Sequence, residues 1–122
     1  MPPRAWRLFL VDITDAIETI DGFIAGLTRH EFFADRLRVD AVLKNLTVIG
    51  EAAARVPEYL VQSHPEIPWS PMRAMRNVLV HEYFGVDPDD LWATVTTDLR
   101  PLLVPLHALL DATDTAADDA RP

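Results

Sequence analysis

Four residues with chemical capacity, Arg76, Asn77, His81 and Tyr83, stand in an apolar stretch, "MRNVLVHEYFG", that runs from Met75 to Gly85. A guanidinium offers a forked pair of donors to a phosphate. An imidazole ordinarily titrates near about 6.5 and so exchanges a proton at neutral pH. An amide orients a neighbour or a substrate, and a phenol accepts a modifying group. A helix that only fills a core needs none of these. On a wheel of about 100° per residue, Met72, Met75, Leu79 and Tyr83 cover one side, and Ala74 and Val78 extend the apolar surface. Arg73, Arg76, Asn77 and His81 share the remaining arc. Such a helix is expected between other helices, its polar arc facing a cleft or a subunit interface. Asn77 and His81 are i, i+4 neighbours. Arg76 stands about 140° from His81 on the same wheel, so the two meet at one phosphate only through the length of Arg or through a second copy of the chain. That favours a dimer with these helices facing across a two-fold axis.

The elements that must position these residues are all helical. Apolar residues at 6, 9, 10, 13, 16, 17, 20, 23, 24 and 27 follow three-four spacing and predict a long first helix over about 4–27. After a break at "TRHEFFAD", a second run carries Leu37, Ala41, Val42, Leu46, Ile49, Ala52, Ala53 and Val56, with Asp35 as its N-cap and Pro57 as its limit. "PEYLVQSH" reads as one short helix and "HPEIPW" as a connection. Ser70 and Pro71 form a start signal for the fourth helix, which Gly85 stops. Asp87 and Pro88 repeat the start signal. The last helix carries Leu91, Val95, Leu99, Leu102, Leu103, Leu106 and Leu110, and Pro101 and Pro105 should bend or break it. With no alternating strand pattern, no repeat and no Gly-rich phosphate loop, the expected fold is all-α, an up-and-down bundle of four or five helices.

The chain of 122 residues is long enough for one core and too short for two domains of ordinary size. Residues 1–110 are expected to form that domain. Residues 111–122, "DATDTAADDARP", lack large apolar side chains and are expected to be a frayed acidic tail. The net charge is −8, of which the tail supplies −3. A protein that coats DNA would look different. An acidic body still binds nucleic acid locally where a few arginines converge. The absence of cysteine excludes disulfides and thiolate metal sites. Asp12 and Asp15 interrupt the first apolar run, so no signal peptide or membrane span is expected, and the location expected is cytoplasmic.

Taken singly, each of the four residues has an ordinary reading. A lone His on an apolar helix is commonly a hydrogen-bonded core residue, an Arg there pairs with a nearby acid such as Glu51 or Glu82, and a Tyr at a helix end is commonly a core aromatic. Their order adds more. Arg76, four residues, His81, one residue and Tyr83 resemble the signature of the HepT-like toxins, a branch of the HEPN superfamily of small helical ribonucleases. "IGEAAARVP", "IPWSPMRAMRN" and "GVDPDDLWATVTTDLRPL" resemble that family's other segments in the same order. The likeness runs over roughly residues 5–105.

The resemblance implies a metal-independent endoribonuclease with no cofactor, whose cleft is shared by two subunits of a symmetric dimer. Arg76 and His81 are the implied catalytic pair, with Asn77 orienting substrate or His81. It also implies a toxin-antitoxin system, in which a minimal nucleotidyltransferase antitoxin transfers AMP from ATP to Tyr83. A non-catalytic HEPN module that binds nucleotide or RNA, as partner subunit of a nucleotidyltransferase, shares the same features. Arg73, outside the motif, either adds phosphate affinity at the cleft rim or makes a surface ion pair. Glu51 either holds Arg76 or Arg73 or is an ordinary surface acid. Trp69 and Trp92 are expected to be core anchors. The other histidines, His30, His64 and His107, lack the paired spacing of a metal site.

Overall fold

The computed structural model describes residues 5–77 and 87–119, with side chains of the last helix as far as Ala112. Two helices of 20 residues, α1 (Ala5–Ile24) and α3 (Arg36–Arg55), form its centre. Trp6, Leu10, Ile13, Ala16, Ile17 and Ile20 of α1 are buried at the spacing the sequence predicts. They meet Val39, Val42, Leu43, Leu46 and Ile49 of α3. Leu37, which the apolar pattern placed in this run, is 82% exposed. Val39, two residues on and about 200° around the helix, turns inward in its place.

The α1 helix stops at Gly26, whose φ of 75° is left-handed and suits a residue without a Cβ. The segment read as a break then forms a short helix, α2 (Arg29–Ala34). Thr28 Oγ1 accepts from the Glu31 N–H at 3.1 Å, and Glu31 Oε1 accepts from the Thr28 N–H at 2.9 Å. This is a reciprocal capping box. The N–H of Thr28 first, and then its hydroxyl, hold the Glu31 carboxyl below its ordinary value of 4.5. Because the folded state prefers the charged form, the box contributes above that ordinary value and is lost as pH falls through the lowered one. An NMR titration of Glu31 should give a midpoint below 4.5. Thr28→Ala should move the midpoint back toward it, and an unchanged midpoint would contradict the cap.

Asp35 caps α3 as expected, its Oδ1 accepting from the Arg38 N–H at 3.2 Å. Pro57 flanks α4 (Glu58–Ser63) as its N-cap, and His64 to Pro68 connect onward. Asp87 caps α6 (Pro88–Ala93), accepting from the Asp89 N–H at 2.8 Å. Phe32 of α2 lies with Phe33 and with Trp92 of α6, at centroid distances of 5.0 and 5.6 Å.

The single last helix of the sequence reading divides at Pro101. The Leu99 N–H reaches back five residues to the Thr94 carbonyl at 3.1 Å, a π-turn over Thr94–Asp98. A 3₁₀ turn, Arg100–Leu102, follows. Pro101 lacks an N–H and its ring clashes with the carbonyl four residues back, so the turns around it widen and then tighten. Val95, Leu99 and Leu106 nevertheless stay in the core. Pro105 falls in the first turn of α7 (Leu103–Asp119), where its missing N–H removes no helix bond. The helical backbone continues past Leu110 to Asp119, through a stretch where Ala112, Ala116 and Ala117 favour helix. Residues 111–119 of that acidic segment are thus helical in their backbone.

The result is an all-α bundle with no strand among the described residues. No described helix is long and apolar enough to cross a membrane.

Candidate active site

The motif enters from α5 (Trp69–Ala74), which starts earlier than Ser70 and Pro71 suggested. The Met72 N–H donates to the Pro68 carbonyl at 3.1 Å, so Pro68 is the N-cap. Trp69 is buried, and its indole N–H donates to the His64 carbonyl at 2.9 Å. That tertiary bond draws Trp69 into the first turn and leaves Ser70 exposed, without a capping bond. Pro71 still lies in the first turn, where no helix N–H is needed. Met72 is wholly buried and anchors the segment.

From Met75 the helix tightens into a 3₁₀ turn, Met75–Asn77. Such a turn rotates about 120° per residue rather than 100°. The α-helical wheel therefore does not carry through Arg76, and the angle to His81 drawn on it lies outside the described residues. Arg76 and Asn77 are both exposed, and Met75 is half-buried. The backbone of Arg76 rests against Gly50 of α3. Asn77 lines a cavity of about 570 Å³ with largely apolar walls, Leu46, Met72, Met75, Leu91 and Leu102 among them. Asp87, Asp90 and Asp98 also line it.

Arg73 is half-buried, with its Nε donating to the Ala53 carbonyl at 3.2 Å. Its Nη2 lies 3.5 Å from Glu58 Oε2. Ala53 is in the last turn of α3, where its carbonyl also accepts from the Val56 N–H at 3.4 Å, and Arg73 adds a cap to this helix end from a neighbouring element. Glu51 is exposed and makes no ion pair among the described residues; Glu58 holds Arg73 in its stead. Trp69 is the core anchor expected, whereas Trp92 is half-buried and ties α6 to α2.

The structure thus places Arg73, Arg76 and Asn77 in consecutive turns on the face of α3. His81 and Tyr83, and the stop expected at Gly85, lie outside the described residues. Away from the motif, His64 pairs with Glu66 at 3.4 Å and His107 with Glu18 at 3.9 Å. Among the described residues no three His, Cys, Asp or Glu side chains converge as a metal set would. Gly50 is the residue that sequence reasoning missed. A glycine inside an apolar helix costs about 1 kcal/mol against alanine and usually has a packing reason, a signal that was present in "IGEAAA".

The described part of the motif is thus an exposed arginine followed by an exposed amide, on a turn that follows the buried Met72 and is seated against α3 in an all-helical protein. Residues 13–109 match the family described as Ribonuclease HepT-like. The chain is 41% identical over 99 residues to a Thermococcus cleftensis protein named "Probable ribonuclease HepT", spanning 81% of this chain and 90% of that one. It is 37% identical over 95 residues to "Putative RNase MJ0127" of Methanocaldococcus jannaschii, spanning 78% of each. It is 30% identical over 96 residues to "Putative RNase TTE0752" of Caldanaerobacter subterraneus, spanning 79% and 86%. No solved structure gives a significant match. The chain belongs to the HepT-like ribonuclease family.

Proposed function

We propose that this protein is the toxin of a toxin-antitoxin pair, a metal-independent endoribonuclease in the cytoplasm that acts through Arg76 and His81, with Asn77 orienting the substrate or His81. The observation that carries the reading is the placement of Arg76. It opens the family's Arg-x₄-His-x-Tyr pattern and is exposed on a turn seated against α3, where a phosphate has access. His81 removes the proton from a ribose 2′-hydroxyl, and the freed oxygen attacks the adjacent phosphorus. The forked donors of Arg76 meet the charge that gathers on the non-bridging oxygens. His81 of a second subunit gives a proton to the departing 5′-oxygen. The products are a 2′,3′-cyclic phosphate and a 5′-hydroxyl. Since the wheel does not carry through the 3₁₀ turn, the two-subunit cleft rests on the family resemblance.

Tyr83 is the acceptor for a cognate nucleotidyltransferase antitoxin. Its phenol oxygen displaces pyrophosphate from the α-phosphate of ATP, leaving AMP on the ring. The added bulk and negative charge then close the site to RNA.

The test is purified protein made without the nucleotidyltransferase, incubated with single-stranded RNA in EDTA. Expected are fragments ending in a cyclic phosphate, none from 2′-O-methyl RNA, and none from His81→Ala. RNA left intact where a control nuclease cuts it would refute the enzymatic reading and favour a non-catalytic HEPN module. Co-expression with the antitoxin should add the mass of AMP to wild type and not to Tyr83→Phe.

A further inference from the structure

We infer that Gly50 is a positioning residue, whose missing side chain sets where the Met75–Asn77 turn sits on α3 and hence where the Arg76 guanidinium stands. The inference rests on the proposed role of Arg76 as the phosphate-binding group. A Cβ built on Gly50 would lie 2.7 Å from both Cα and Cβ of Arg76, and nearer still to its backbone nitrogen. Carbon atoms in contact sit about 3.5–4.0 Å apart. The obstacle is therefore backbone and the root of a side chain, neither of which can swing aside.

Conformation does not explain this glycine. Gly50 is buried within α3, and the positive φ among the described glycines belongs to Gly26. Gly22 and Gly26 have open space where a Cβ would be. Of these three, Gly50 alone is required by a close approach, and what approaches is the first residue of the motif.

One turn along α3, the Ala53 carbonyl accepts from Arg73 Nε at 3.2 Å. The two contacts run antiparallel: three residues forward on α3 correspond to three residues back from Arg76. Gly50 sets the depth of the turn and Ala53 its register, while the exposed Arg76 side chain remains available to ligand. A methyl group at Gly50 pushes the turn outward by roughly 1 Å. A displacement of that size at a reacting group lowers rate by up to about 100-fold.

The experiment is a double-mutant cycle on Gly50→Ala and Arg76→Ala, read by the Kd of an uncleavable 2′-O-methyl RNA and by the RNA cleavage rate. Expected for Gly50→Ala alone is about a tenfold weaker Kd and a 10- to 100-fold slower cleavage. In the Arg76→Ala background the same substitution should change Kd less than about twofold. A merely structural glycine would give equal losses in both backgrounds, and that result, or a Gly50→Ala protein that binds and cuts as wild type does, overturns the inference. If Gly50→Ala does not fold, Arg73→Ala, which loosens the other contact without adding an atom, runs through the same cycle and decides by the same outcomes. Should wild type leave RNA uncut, the functional reading fails, but the seat is still read separately. The Arg76 amide resonance must move in Gly50→Ala, and a resonance that stays in place refutes the contact.

Discussion

Arg76→Ala is expected to slow RNA cleavage by about 100- to 1,000-fold while the protein melts at the wild-type temperature. Removing one preformed donor from a developing anion has effects of that size in other hydrolytic enzymes. Stability should change by no more than about 0.5 kcal/mol, because Arg76 is exposed and its side chain fills no part of the core. What α3 holds is the backbone of Arg76 and the root of its side chain, and alanine keeps both. Arg76→Lys should recover only part of the rate, since an ammonium keeps the charge and loses the planar fork. Single-turnover cleavage with a matched thermal melt checks both halves. A large fall in melting temperature would make Arg76 a structural residue, and an unchanged rate would remove it from the chemistry.

Phe32→Ala should destabilise the fold by about 3–5 kcal/mol, the range for truncating a buried aromatic. Phe32 is wholly buried, with Phe33 and Trp92 about its ring. Its helix, α2, has only six residues and is far too short to persist without packing. The cluster also fixes α6, which resumes the described chain after residue 86. A domain of this size is stable by about 5–15 kcal/mol, so much of that margin would go. Urea unfolding should show a lower midpoint with little change in slope. A loss under about 1 kcal/mol would mean that the ring space collapses without penalty, contrary to close packing around it.

The contrast between these substitutions follows how the molecule is built. Both residues sit on short elements that local sequence specifies weakly. The α2 segment reads locally as a break, although Thr28 and Glu31 carry the capping-box spacing. Its six residues show little periodicity, and the cap becomes informative only once Phe32 has a core to enter. The start of α5 was displaced for a similar reason. Ser70-Pro71 is a sound local signal, but the bond from Trp69 to the His64 carbonyl and the Pro68 cap override it.

By itself the sequence determined what repeats along the chain or acts within one turn: the apolar faces of α1 and α3, the Asp35 and Asp87 caps, the break at Pro101 and the Arg, Asn, His and Tyr order of the motif. Each depends on residues a few positions apart, whose relation is set by helix geometry. Only tertiary structure decided that Arg76 rests on Gly50, that Arg73 closes the end of α3 instead of standing free, and that Glu58 rather than Glu51 is its partner. Gly50 and Arg76 are separated by the end of α3, the short helices α4 and α5 and the connection between them, and no local pattern encodes the distance between their backbones. Packing sets it: the Met75–Asn77 turn lies against α3 at a residue that has no side chain.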